Sequence, residues 1–184
     1  MKKSNLILLG ALGAAIFFSL VFQLSVHSNV KKEKANEVPV EVVSESRTLS
    51  LFDGILIEDR ISVVFRQSET SKVVVNAPNY IIDSVITETV DRNLIIKATK
   101  KLKKKDSIHI QIDHPTLTAL ELHNNSHFEA DGQISGGQLN LIFKDNSSAN
   151  LNLDYDAVKY TNNTQGKVNL QGEIKKIDLV SDKE

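Results

Sequence analysis

The 184-residue chain contains no cysteine and no tryptophan, and only three prolines, one methionine and eight glycines. Without cysteine there is no disulfide framework, no thiolate metal site, no cysteine nucleophile and no lipid-modified N-terminal cysteine. The aromatic complement is seven Phe and three Tyr, and Phe17, Phe18 and Phe22 fall in one apolar N-terminal run. That leaves too few rings elsewhere for a carbohydrate-stacking platform. The scarcity of Pro and Gly excludes collagen-like and low-complexity chains. A formal charge of −1 gives no general nucleic-acid signal.

Hydrophobic residues make up 41% of the chain, enough for a buried core. They are distributed unevenly. Lys2 and Lys3 lie in a five-residue tail (1–5), and Leu6 to Val26 follows without a charge. Twenty-one residues at about 1.5 Å each cross about 30 Å of hydrocarbon, so 6–26 reads as a transmembrane signal-anchor. Secretory signals carry a shorter apolar region of about 7–15 residues. Two readings stay open: a retained single-pass inner-membrane anchor with a periplasmic C-terminal domain, or cleavage after Ser28 and export of the domain. Lysines on both flanks (Lys2 and Lys3; Lys31, Lys32 and Lys34) leave charge alone undecided on orientation. Residues 27–47 are polar, carry mixed charge and Pro39, and read as a linker.

From residue 48 to 184 the pattern is all-β. Short segments rich in β-branched residues alternate with turn residues at Ile55–Glu58, Ser62–Arg66, Lys72–Asn76, Val85–Val90, Leu94–Ala98 and Ser107–Asp113. Asp91-Arg92-Asn93 has the composition of a hairpin connection.

Beyond Pro115 a fixed step emerges. Leu120, Leu139, Val158 and Ile177 lie nineteen positions apart, and Leu122, Leu141, Tyr160 and Leu179 repeat with them. Ala130, Ala149 and Val168 keep the same step, and so do Gly132, Leu151 and Leu170. A constant period of this size predicts stacked coils. Each would hold two short strands and two bends, about 4.8 Å above the last. The expected fold is a single-stranded β-helix, or β-solenoid, with coils of about nineteen residues in the C-terminal half and a less regular β N-terminal half. Asn124-Asn125-Ser126, Asp145-Asn146-Ser147 and Asn162-Asn163-Thr164 supply the bends, because Asn and Asp tolerate left-handed backbone.

These residues carry a family resemblance. Leu51-Phe52-Asp53-Gly54-Ile55-Leu56-Ile57, Val63-Val64-Phe65, Lys72-Val73-Val74-Val75 and Asp91-Arg92-Asn93-Leu94-Ile95-Ile96, with the Asn/Ser-punctuated coils, resemble the auto-transporter adhesin head GIN domain family over about Thr48 to Asp182. The resemblance implies an exported bacterial envelope protein with a β-helical fold and no established catalytic residues. The chain departs from the family pattern by using Asn, Asp and Ser in bends where glycine is usual.

Three constellations hold candidate chemistry. The largest charge feature is Lys97, Lys100, Lys101, Lys103, Lys104 and Lys105, a candidate anion- or lipid-binding patch or a solvated connection between strands. His109, Asp113, His114, Glu121, His123 and His127 hold imidazoles and carboxylates but match no zinc spacing, so no metal site is assigned. Asp131, Asp154 and Glu173 fall at one end of successive units, where carboxyls about 5–9.5 Å apart would serve glycoside hydrolysis. Turn chemistry explains them more simply, and Asn124, Asn146 and Asn162 match the glycosylation acceptor pattern for the same reason.

No catalytic residue and no cofactor is assigned. The sequence reads as a non-catalytic, envelope-anchored binding or surface-presenting domain, serving adhesion or envelope organisation. Its expected partners are the membrane through the N-terminal helix and a polysaccharide or another envelope protein, without nucleic acid. The alternatives are an enzyme acting on envelope or extracellular polysaccharide and a periplasmic protein-partner module.

Overall fold

The computed structural model describes residues 40–180. Among them are eleven strands and one 3-10 turn at Ile82–Ser84. The strands are β1 (Val42–Arg47), β2 (Gly54–Ile57), β3 (Ser62–Gln67), β4 (Lys72–Pro78), β5 (Val85–Val90), β6 (Asn93–Ala98), β7 (His109–His114), β8 (Ala119–Leu122), β9 (His127–Asp145), β10 (Ser148–Thr164) and β11 (Val168–Val180). Part of the segment read as linker is therefore β1.

Alternation makes these strands. Val63 and Phe65, Val73 and Val75, Leu94 and Ile96, Ile110 and Ile112, Leu120 and Leu122 point inward at 0–2% exposure, while the residues between them face out. Each such burial contributes about 1.5–3 kcal/mol. One apolar core results, running from Phe52 to Val158.

All eleven strands belong to one sheet. It runs β1-β4-β7-β3-β9-β8-β2-β6-β5, and β10 and β11 add to β9. The long strands make it fold back on itself: the start of β9 pairs with β3 (Ser62↔His127) and its end pairs with β8 (Leu120↔Leu141). Two walls therefore face each other across the core. At the far end the path termini β1 and β5 are joined by a side chain. Arg47 of β1 donates to Val85 O at 2.5 Å, Thr87 Oγ1 at 3.1 Å and Ile82 O at 3.3 Å. The sheet is barrel-like and nearly closed.

This overturns the solenoid. Successive coils do not simply stack, because strands remote in sequence are interleaved: β3 lies between β7 and β9, and β2 between β6 and β8. The β1/β4, β4/β7 and β5/β6 pairs are antiparallel. The nineteen-residue step is the register of β9, β10 and β11 alone, as in Leu139↔Val158 and Val158↔Ile177. Leu120 pairs with Leu141, not Leu139, and Ala149 pairs with Phe128, not Ala130. An irregularity between Glu129 and Gln133 absorbs the difference, with Gly132 at φ +97.

Among the described residues no helix is long and apolar enough to cross a membrane. The tail (1–5), the anchor read at 6–26 and the cleavage position after Ser28 lie outside them.

Turns follow the chemistry of their side chains. Asp91 and Arg92 (φ 48 and 63) form the two-residue β5–β6 hairpin turn, and Asn124, Asn125 and Asp145 adopt φ of 51, 64 and 58. Asp and Asn do in these bends what glycine does in others.

Candidate functional site

The lysine run is the connection from β6 to β7, and its backbone is held from beneath. Asp106, 6% exposed, accepts from the Tyr80 hydroxyl at 2.6 Å and from the Lys103 amide at 2.8 Å. Its own amide donates to Lys103 O at 3.1 Å, closing a turn. Arg60 donates to Lys103 O and, at 3.4 Å, to Asp106 O. Leu102 packs against the core. The Tyr80 hydrogen bond and the Lys103 amide hold the Asp106 carboxyl below the usual range, and the same Asp106 bond raises the Tyr80 phenol.

Lys100, Lys101, Lys103, Lys104 and Lys105 are exposed, and none has an acidic partner within ion-pair distance among the described residues. Lys97 stands apart: it lies on β6 with its ammonium 3.6 Å from Glu88 of β5. The sequence places six lysines together, and the structure leaves five free on one pinned turn. Tyr80, Asp106 and Arg60, which fix that turn, were not singled out from sequence. The signal for Asp106 was its place between the last lysine and the alternating segment that leads into β7 at His109.

The imidazole and carboxylate candidates are dispersed into separate contacts. His114 is buried at 2%, stacked on Phe52 with ring centroids 3.9 Å apart. Its Nε2 donates to Phe52 O at 2.6 Å, and the Ser71 hydroxyl lies 2.9 Å from Nδ1. Burial pushes its pKa below 6.5, although Phe52 O and Asp53 oppose this. Asp113 is held in a two-point pair by Arg66 at 3.0 and 2.9 Å. His109 contacts Ser107 at 2.7 Å and His127 contacts Ser148 at 2.8 Å.

Glu121 Oε1 takes His123 Nε2 at 2.7 Å and Lys144 Nζ at 2.9 Å. Burial pushes the Glu121 carboxyl up, but the hydrogen bonds from Lys144 and His123 outweigh it and hold the carboxyl below its ordinary value. Among the described residues no three His, Cys, Asp or Glu side chains are placed to hold a metal ion.

The acid series is split. Asp154 and Glu173 are register partners, but Asp154 pairs on its other side with Ser135, and Asp131 sits in the β9 irregularity beside Arg66. All three are exposed. Of the sequon asparagines, Asn124 and Asn146 lie in turns, and Asn162 lies near the end of β10, where its Oδ1 accepts from the Thr164 amide at 3.2 Å.

The fold is thus a nearly closed all-β frame with an exposed cationic turn. The chain belongs to the family described as "Putative auto-transporter adhesin, head GIN domain", whose model matches residues 51–183. No curated protein matches the chain. Among solved structures, a Parabacteroides distasonis protein named a "putative adhesin" superposes with TM-score 0.62 at 17% identity, covering 78% of this chain and 71% of its own. Another from the same organism, named a "putative lipid binding protein", gives 0.61 at 13% identity, covering 77% and 67%. A Parabacteroides merdae "putative adhesin" gives 0.58 at 14% identity, covering 77% and 78%. At these identities the likeness is one of fold.

Proposed function

We propose that the domain is a non-catalytic binding module of the cell envelope that docks on anionic surfaces through the lysine turn. The observation that carries this reading is the backbone held at Lys103 and Asp106, with five lysine ammonium groups around it that have no acidic partner within ion-pair distance among the described residues. A pre-organised turn loses little conformational freedom on binding, so its charge acts at little entropic cost. The attraction reaches about one Debye length, about 8 Å at physiological salt, and weakens as salt rises. The names of the family and of two relatives, adhesin and lipid-binding protein, support an envelope role of this kind.

Vesicle co-sedimentation tests it with the full chain. Phosphatidylcholine vesicles are compared with vesicles containing phosphatidylglycerol, for wild type and for a variant with Lys97, Lys100, Lys101, Lys103, Lys104 and Lys105 changed to Gln. The expected result is a gain with anionic vesicles in wild type that disappears in the variant and at high salt. Equal pelleting of the two proteins on both vesicle types overturns the reading.

A further inference from the structure

At the opposite edge from the lysine turn, where the two walls meet, β9, β10 and β11 bend through Ser135–Gln138, Asp156–Ala157 and Lys175–Lys176. A groove of about 590 Å³ lies there, running from Thr116–Thr118 across β9 and β10 to Lys176 and Asp178 of β11. That spans four levels, about 14 Å at about 4.8 Å per level. Its volume is within the about 300–1,000 Å³ of small-ligand sites.

Small residues open it. Gly136 and Gly137 leave β9 without side chains at the bend, and Ala157 follows on β10. Gly136 is fixed by packing, since an added Cβ would stand 2.7 Å from the Tyr155 ring. That ring is held in turn by its hydroxyl, which donates to Leu117 O at 2.7 Å. Gly137 is different: an added Cβ would meet nothing within 4 Å.

Unused polar groups converge on this floor. Gln138 and Asn140 share one face of β9, and Asn140 lies in register with Lys159 of β10. Asn140 Oδ1 is buried and accepts no hydrogen bond. Among the described residues neither Gln138 nor Lys159 makes a side-chain hydrogen bond or ion pair, and Asp178, in register with Lys159, is held by Lys176 at 2.9 Å. The groove thus offers the Gln138 amide, able to donate and accept, the Asn140 amide nitrogen, able to donate, and an ammonium without an acid of its own among the described residues.

We propose that this corner groove binds an acidic oligosaccharide, with Gln138 and Asn140 on ring hydroxyls and Lys159 on a uronate carboxylate. The Gln138 amide and the Asn140 nitrogen match vicinal hydroxyls, which both donate and accept. The length across four levels fits an extended chain of sugars better than a single ring. Recognition is through hydrogen bonds and charge rather than stacking, consistent with the absence of tryptophan. The site is separate from the lysine turn.

Calorimetric titration of the full chain with short oligogalacturonates tests it, with neutral dextran oligomers as control. Wild type is expected to bind the acidic oligomer and not dextran. Lys159→Gln is expected to weaken binding about tenfold or more, the size of one lost charge-assisted hydrogen bond. Gly137→Phe, whose Cβ would meet nothing within 4 Å and whose ring would occupy the groove, is expected to abolish binding while the circular dichroism spectrum and melting temperature stay unchanged. The lysine-turn variant is expected to keep the groove's affinity. No binding by wild type, equal binding of dextran, undiminished binding by Gly137→Phe, or loss of binding in the lysine-turn variant instead overturns the proposal, and each of these leaves the function proposed for the turn standing, because the vesicle experiment decides that separately.

Discussion

The two ends of the sheet treat the same apolar pattern in opposite ways. At one end Arg47 and the 3-10 turn close β1 onto β5, and Val85 and Ile82 beneath them are buried. At the other, β11 pairs only with β10, and its Ile177 and Leu179 stand 47% and 73% exposed. Leu179 continues the ladder of Leu141 and Tyr160, in which Leu141 is fully buried. An inward-facing apolar residue is buried only where a further strand lies over it. Position in the stack, not residue type, sets what each side chain contributes.

The largest test of this contrast is along that ladder. Leu141→Ala is expected to cost about 2–5 kcal/mol, because it opens a cavity between neighbouring strands. Leu179→Ala is expected to change stability by under about 0.5 kcal/mol. Urea denaturation followed by circular dichroism measures both, and similar losses would remove the distinction between the ends.

Next in size is the clamp. Arg47→Ala leaves the Val85 and Ile82 carbonyls without its guanidinium and is expected to cost about 1–3 kcal/mol. Amide exchange sharpens this result, since protection is expected to fall in β1 and β5 and to hold in β10. A uniform loss would show that the seam is not local.

The smallest expected effect belongs to His114. Because its folded pKa is depressed below 6.5, the unfolded chain binds more protons below that value, so stability is fully present above about pH 6.5 and declines as pH falls through the folded pKa. His114→Gln is expected to flatten that part of the stability–pH profile. A slope unchanged by the substitution would assign it to other groups.

Much of the strand content was legible from alternation alone. Ser62, Lys72, Val85 and the Asp91-Arg92 turn stand where the pattern put them, since the two-residue period and turn chemistry are local properties. The nineteen-residue step was read correctly as spacing but extended too far. Leu120 and Leu139 share it by arithmetic, while the irregularity after Glu129 shifts their strands by two residues. Nothing local to Leu120 carries that information.

The same division holds for the candidate sites. The lysine run was plain, because like charges close in sequence stay close in space. Its support was not: Tyr80 and Arg60 reach it from 26 and 43 residues away. The glycine pair Gly136-Gly137 and the amides of Gln138 and Asn140 gave no sign of a groove, because Lys159 and Lys176 reach them only through strand register.

The sequence by itself determined an all-β pattern from residue 48, its inward and outward faces, its left-handed turns and its block of positive charge, all set within a few residues. Only the tertiary structure decided that the strands form one nearly closed sheet, which end is sealed and which is open, and which polar groups are left without partners. Those outcomes depend on pairings between distant strands. Many orders of such pairings satisfy the same alternation, and the one adopted follows from how the whole core packs.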